Sequence, residues 1–142
     1  VSVPPKSITM RREIIRPTGS DIFYDMFHFA PATRVGDLIW VSGQVGIDAN
    51  MVPGEGMEAQ ARLAFEAIQA TLAAAGATMA DIVELMTFHI DLRGEMADFT
   101  KVKDEYLPGR FPSWTAVGVT QLAAPEFRVE VRVVAVAGSG AA

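Results

Sequence analysis

Glu130 is the residue most able to do chemistry in this sequence. It lies in a C-terminal stretch, 127–136, that alternates valines with the charged residues Arg128, Glu130 and Arg132. Successive side chains of a β-strand leave opposite faces of the sheet, so this stretch predicts one apolar and one charged face. A carboxylate beside arginines can act as a general base or orient a water. A strand with solvated charges explains the same pattern, and the pattern alone favours that simpler interpretation.

His89 is the second candidate for acid–base chemistry. Within the predicted strand 82–92, the even positions Met86, Phe88 and Ile90 are apolar and the odd positions include His89. We therefore expect His89 to share the polar face of Glu130, where an imidazole can titrate near neutral pH. A buried, hydrogen-bonded histidine without a catalytic role is the more common alternative.

Two further stretches have the residue types of a binding pocket. Ser42, Gly43 and Gln44 end a strand rich in β-formers, and a glycine there indicates a bulge or a close approach of backbone to ligand. Trp114 follows the Phe111-Pro112 turn, and its rigid ring with one N–H donor suits a pocket wall. A simple bulge and ordinary core packing of the tryptophan are the alternatives.

Composition excludes several classes of function. The chain has 142 residues, a net charge of −5, no cysteine and two histidines. The acidic balance and the lack of a basic run argue against a nucleic-acid partner, and the histidines have no metal-ligand spacing, so we expect neither a metal nor a cofactor. No apolar run approaches the ~20 residues that span a bilayer, and no signal-peptide pattern starts the chain. The expectation is a cytoplasmic single domain over 1–142, with 1–9 a loosely ordered N-terminal extension.

The elements that must position these residues follow from periodicity and turn chemistry. The order predicted is β-β-β-α-β-α-β-β, with strands at 8–15, 27–35, 38–45, 82–92, 114–122 and 127–136 and helices at 57–75 and 97–107. Two helices cover only one face of a six-stranded sheet, and we expect them to pack on Met86, Phe88, Ile90, Val129, Val131 and Val133. Another subunit is the economical cover for the opposite face.

These motifs together resemble the Rid family, also called YjgF and often labelled endoribonuclease L-PSP. The resemblance runs from about residue 25 to 137 and includes Gly36-Asp37-Leu38-Ile39, Ser42-Gly43-Gln44, Ala73-Ala74-Ala75-Gly76, Asp91-Leu92, Phe111-Pro112 and Val129-Glu130-Val131. It implies an α+β, chorismate-mutase-like fold with a mixed sheet. It also implies a homotrimer that binds a small molecule in clefts between subunits.

The resemblance also implies roles for individual residues. The family glutamate that orients the attacking water falls at Glu130, and the aromatic residue that closes the pocket falls at Phe29. The arginine that binds the substrate carboxylate belongs at position 114, where this chain has Trp114. An arginine pairs with a carboxylate through two parallel hydrogen bonds, which an indole cannot make. Arg34, Arg128 or Arg132 could supply another cation.

Two functions therefore compete. The first is a Rid-like hydrolase, an imine or enamine deaminase acting on 2-imino acids or a 2-aminomuconate-type substrate, with specificity altered by Trp114. Its binding residues would be Phe29, Ser42, Gly43, Gln44, His89, Trp114 and Arg132. The second is a non-catalytic, metabolite-binding or regulatory trimer of the same fold. The family's ribonuclease label ranks below both because the chain is acidic.

Overall fold

The computed structural model of the protein describes residues 11–141. The N-terminal extension predicted over 1–9 lies outside the described residues. Six strands form one sheet in the order β1-β2-β3-β6-β4-β5. These are β1 (Glu13–Ile15), β2 (Ala32–Val35), β3 (Leu38–Val45), β4 (Ile82–His89), β5 (Ser113–Gly118) and β6 (Val129–Val136).

Within residues 11–141, three α-helices and one 3₁₀ turn connect the strands. They are α1 (Asp21–Asp25), α2 (Gly56–Ala74), α3 (Leu92–Tyr106) and the 3₁₀ turn Met79–Asp81. Only the pair β4–β5 is parallel, and α3 is the crossover between them; the other pairs are antiparallel. The predicted α+β order and mixed six-stranded sheet are confirmed, while the short helix α1 was not predicted.

Local sequence explains where the main elements begin and end. The β2–β3 hairpin turns at Gly36, whose φ of +57° falls in the left-handed region that glycine adopts without strain. The alanine-rich α2 is followed by Gly76, at φ +82°, as a left-handed stop. At the start of α3, the Asp91 side chain accepts a hydrogen bond from the Gly94 backbone N–H at 3.1 Å. The ends of α2 agree with the predicted 57–75 to within one residue, whereas α3 begins at Leu92, well before the predicted start at 97.

Both long helices pack on one face of the sheet. Phe65, Ile68 and Leu72 of α2 are fully buried, as are Val131 and Val133 of the central strand β6. The Phe65 ring stacks on Tyr106 at 5.4 Å between centroids and lies 5.9 Å from Phe99 of α3. This part of the predicted core is confirmed.

The predicted helix-facing side of β4 is wrong. The pairing of β4 with β6 shifts register between Ile82 and Glu84, and beyond that shift Leu85, Thr87 and His89 lie opposite the buried valines of β6. The odd positions are therefore buried under the helices, while Met86 and Phe88 pair with Arg132 and Glu130 on the other face. Ile90 lies beyond the end of β4 and is partly exposed. One extra residue in a strand reverses which face each later side chain takes.

The second face of the sheet mixes apolar and charged side chains. Trp40, Met86, Phe88 and Val134 are partly exposed there, beside Glu130 and Arg132. Neither α2 nor α3 covers this face, because α2 packs on the buried valines of β6 and Phe99 of α3 packs on His89 of β4, both on the opposite side. We call this second face of the sheet the open face.

No helix within 11–141 is long and apolar enough to cross a membrane.

The core predicts the cost of removing one aromatic ring. Phe65→Ala should lower the free energy of unfolding by about 3–5 kcal/mol, because a fully buried ring is replaced by a cavity. Gln69→Ala, at an exposed position of the same helix, should change stability by no more than about 0.5 kcal/mol. Urea unfolding of both variants measures the difference, and equal stabilities would show that Phe65 is not a core residue.

Candidate functional site

Glu130 projects from β6 onto the open face and lies against a bulge of β3. Its cross-strand neighbours are Val45 on β3 and Phe88 on β4. A Cβ added to Gly43 would collide with the Glu130 carboxyl group, so only glycine leaves room for the carboxylate at this point. Gly43, in the middle of Ser42-Gly43-Gln44, thus provides the surface against which the Glu130 carboxyl group packs.

The bulge explains why this contact is possible. The pairing of β3 with β6 skips from Val41 to Gln44, which leaves Ser42 and Gly43 outside the ladder. Ser42 is instead fixed from the preceding loop, since its backbone N–H donates to the Pro31 carbonyl at 2.9 Å and its hydroxyl donates to the Ala30 carbonyl at 2.6 Å. The predicted irregularity at Gly43 is confirmed, and it presents backbone groups beside a carboxylate.

Burial changes the acidity of Glu130. The side chain is partly withdrawn from water, and desolvation raises its pKa above the ordinary glutamate value. Within residues 11–141, no cation or hydrogen-bond donor opposes that shift. A carboxylate with a raised pKa is a better proton acceptor near neutral pH and can return that proton in a later step.

None of the three arginines proposed as substitute cations is shown in contact with Glu130. Arg34 lies on the helix side, where its Nε donates to the Gly36 carbonyl at 2.7 Å. Arg128 Nε donates to Glu95 Oε1 at 2.9 Å. Arg132 shares the open face with Glu130, but its guanidinium lies 3.9 Å from the carboxylate of Glu84. Of the three, Arg132 alone lies on the face of Glu130.

His89 does not share the face of Glu130, so its predicted placement is wrong. The side chain is fully buried on the helix side, with its ring edge against Phe99 at 4.9 Å between centroids. Its Nε2 is 2.7 Å from Thr87 Oγ1, and burial lowers its pKa while Glu95 acts in the opposite direction. The register shift in β4 is the physical reason, since it turns odd positions toward the helices. The structure gives the commoner alternative, a buried hydrogen-bonded histidine.

Trp114 also lies on the helix side, opposite Glu130. It pairs in register with Leu85, and its indole N–H donates to Thr87 Oγ1 at 3.0 Å. Its ring lies 6.0 Å from that of Phe99, yet 36% of the residue remains exposed because β5 is an edge strand. Within one chain, Trp114 and Glu130 therefore cannot line the same pocket.

Phe29 lies beside the bulge, in the loop before β2. The adjacent carbonyl of Ala30 accepts the Ser42 hydroxyl, and the Phe29 backbone N–H donates to the Phe23 carbonyl at 3.1 Å. The Phe29 ring packs on that of Phe23 at 5.5 Å and is 40% exposed. The unpredicted helix α1 thus holds an exposed aromatic ring near Gly43.

Sequence reasoning missed two residues that shape these surfaces. Gln60 is buried in α2, where its amide donates to the carbonyls of Gly54 and Glu126 and accepts from the Arg128 N–H at 2.7 Å. It therefore ties the loop after β3 to the start of β6. Lys103 of α3 lies beside Trp114, with Nζ 5.0 Å from the indole centroid. Neither has a local sequence signal, because a helical glutamine and lysine ordinarily face solvent. No cluster of potential metal ligands occurs in the described part of the chain.

The fold and this strand-bulge site place the protein in a known class. The model of the family described as Endoribonuclease L-PSP matches residues 23–137. The chain belongs to that family, which is also the YjgF or Rid family.

Individual relatives agree with this assignment. The RutC family protein YjgH of Escherichia coli strain K12 is 41% identical over 123 residues, covering 86% of this chain and 94% of that protein. A solved structure of YjgH superposes with a TM-score of 0.81, covering 89% of this chain and 96% of that one. A protein of Dermatophagoides farinae named 2-iminobutanoate/2-iminopropanoate deaminase is 31% identical over 114 residues, covering 76% of this chain and 84% of that protein.

The raised pKa of Glu130 predicts a pH-dependent gain in stability on its replacement. A native-state pKa above the unfolded value means that the fold disfavours the ionised form, so this residue costs stability as pH rises above about 4.3. Glu130→Gln should therefore be more stable than wild type at pH 7, and the gain should shrink as the pH falls toward 4.5. Urea unfolding at several pH values measures it. Glu66→Gln, at an exposed position of α2, is the control. A loss of stability in Glu130→Gln at pH 7 would contradict the predicted desolvation.

Proposed function

We propose that this protein is a hydrolytic deaminase of small imines or enamines and that Glu130 is its general base. The observation that carries the proposal is the desolvated Glu130 carboxylate held against the Gly43 bulge. A half-buried carboxylate beside exposed backbone groups has the parts that water addition to a C=N bond requires. No metal or cofactor is needed for this chemistry.

The proposed reaction has two proton transfers, both through Glu130. In the first, Glu130 accepts a proton from a water as the water oxygen bonds to the imine carbon, and it passes that proton to the imine nitrogen to give a tetrahedral carbinolamine. In the second, Glu130 accepts the carbinolamine hydroxyl proton as the C=O bond forms and the C–N bond breaks, and it passes this proton to the departing nitrogen. The products are a ketone and ammonia, and Glu130 is ionised again. The backbone N–H of Gly43 in the bulge would stabilise charge that develops on the intermediate.

A complete cleft is proposed to need two chains. Glu130 lies on the open face and Trp114 on the helix side of an edge strand, so one chain provides two separate half-sites. The open face is also partly apolar and lies away from the long helices. We propose a homotrimer in which the Glu130 surface of one subunit meets the Trp114 surface of the next.

The proposed substrates differ from the small acids named for one relative. That relative is named for 2-iminobutanoate and 2-iminopropanoate. Here an indole stands where the family resemblance places an arginine, and an indole offers apolar area without a positive charge. A flatter and more apolar imine or enamine therefore suits this chain better, with 2-aminomuconate-type compounds as one possibility.

Turnover tests this function directly. We expect slow ammonia release from enzymatically generated 2-aminoacrylate and faster release from imino acids with larger, unsaturated side chains. Glu130→Gln should abolish the enzyme-dependent rate and leave only spontaneous hydrolysis, because the amide cannot accept the proton. Trp114→Arg should increase the rate on 2-aminoacrylate relative to wild type. Equal rates for wild type and Glu130→Gln would remove Glu130 from the mechanism, and ligand binding without any turnover would support the regulatory alternative.

The proposed assembly has its own test. Multi-angle light scattering at micromolar concentration should give three times the mass of one 15.3 kDa chain. Phe88→Lys, on the open face, should shift the protein toward monomer because a charge would be buried in the interface. Gln69→Lys, at an exposed position of α2, should leave the mass unchanged. A wild-type monomer would overturn the proposed trimer and the two-chain cleft.

A further inference from the structure

A groove of about 320 Å³ opens on the helix side of β5, where α3 does not cover the edge strand. Its walls are the aromatic rings of Phe111 and Trp114, with Pro112 and Leu85 between them. Phe111 is 67% exposed and Trp114 is 36% exposed, so both rings are available to a ligand. Large, rigid aromatic walls favour a flat apolar or conjugated ligand.

One cation is held inside this groove. Lys103 Nζ lies 5.4 Å from the Phe111 ring centroid and 5.0 Å from that of Trp114, and both rings attract the ammonium through their negative faces. The Lys103 side chain is only 9% exposed. Its neighbours Phe99 and Val102 are fully buried, which holds this turn of α3 against the sheet. The ammonium is thus positioned by packing, close to both of the rings that would enclose a ligand.

The protein partner of this ammonium is weakly held. Lys103 Nζ donates to Asp104 Oδ1 at 2.9 Å, but the Asp104 side chain is 62% exposed. Because the Asp104 carboxylate is largely solvated, it can return to water when a ligand carboxylate takes its place, and the exchange leaves the buried ammonium paired. Of the arginines considered as substitute cations, Arg34 and Arg128 are engaged with other groups and Arg132 lies on the open face.

We propose that Lys103 is the carboxylate anchor of this groove and that the groove binds a flat, conjugated carboxylate between Phe111 and Trp114. The inference rests on the proposed function, since it identifies the cation for an imine or enamine acid whose family anchor at position 114 is an indole. An ammonium binds a carboxylate as a point charge and does not impose the two-bond geometry of an arginine. Selectivity then comes from the aromatic walls, which favour unsaturated or aromatic side chains over a small alkyl group.

The probes that test the anchor are trans-cinnamate and its neutral analogue cinnamamide, which share a shape and differ in charge. The sequence has two tryptophans, so an amide correlation spectrum of the intact protein contains two indole N–H signals, and Trp114→Phe assigns them. Cinnamate should shift the Trp114 signal, and cinnamamide should bind about tenfold more weakly or worse. Lys103→Met should weaken cinnamate binding by a similar factor and leave cinnamamide binding unchanged. Lys103→Arg should retain most of the affinity for cinnamate.

Two variants serve as controls. Lys101→Met removes an exposed lysine of the same helix, paired with Glu58 at 3.1 Å, and should leave the dissociation constant for cinnamate unchanged. Asp104→Asn should tighten cinnamate binding, because it removes the competing carboxylate. Weaker binding in Asp104→Asn would show that Asp104 does not compete with the ligand for the ammonium, and would overturn the assignment.

Other results also overturn the proposal. It fails if cinnamate and cinnamamide bind wild type equally, if Lys103→Met binds cinnamate as wild type does, or if cinnamate leaves the Trp114 signal unmoved up to its solubility limit. Glu130→Gln separates this inference from the deaminase proposal, since that variant should lose turnover and still bind cinnamate normally. Lys103-dependent binding without any turnover would retain the anchor and reject the deaminase. Turnover that is insensitive to Lys103→Met would support the deaminase and reject Lys103 as the anchor.

Discussion

Burial of the β6 valines beneath α2 decides where the chemically active side chains of the sheet lie. Val129, Val131 and Val133 are fully buried, so the alternating residues Glu130 and Arg132 must lie on the opposite face. The strand cannot slip by one residue without exposing the valines and burying the charges. A strongly specified register is therefore what holds a carboxylate on a partly apolar surface.

Two local irregularities of strand pairing then shape the two surfaces of the candidate site. The bulge at Ser42 and Gly43 removes side-chain bulk and ladder pairing where the Glu130 carboxylate rests. The register shift at the start of β4 turns Thr87 and His89 inward, where Thr87 Oγ1 accepts the indole N–H of Trp114. The first irregularity shapes the open face, and the second fixes the aromatic wall on the helix side.

The electrostatics of the two surfaces are complementary. The open face carries a carboxylate whose ionisation is disfavoured by desolvation, which suits proton transfer with a bound water. The groove beside β5 carries an ammonium close to two aromatic rings, which suits the charge of a conjugated acid. Because the surfaces are on opposite sides of one sheet, the proposed cleft makes assembly of the subunits a condition for function.

The sequence by itself determined the order of the strands and the two long helices, the β3 strand and its bulge, the helix face of Phe65, Ile68 and Leu72, and Glu130 as the leading candidate. These follow from short-range periodicity, turn residues and glycine. Only the tertiary structure decided the face of His89, because a one-residue register shift leaves no composition signal. It also decided the environment of Lys103, because the rings close to its ammonium belong to Phe111 and Trp114, which lie outside α3.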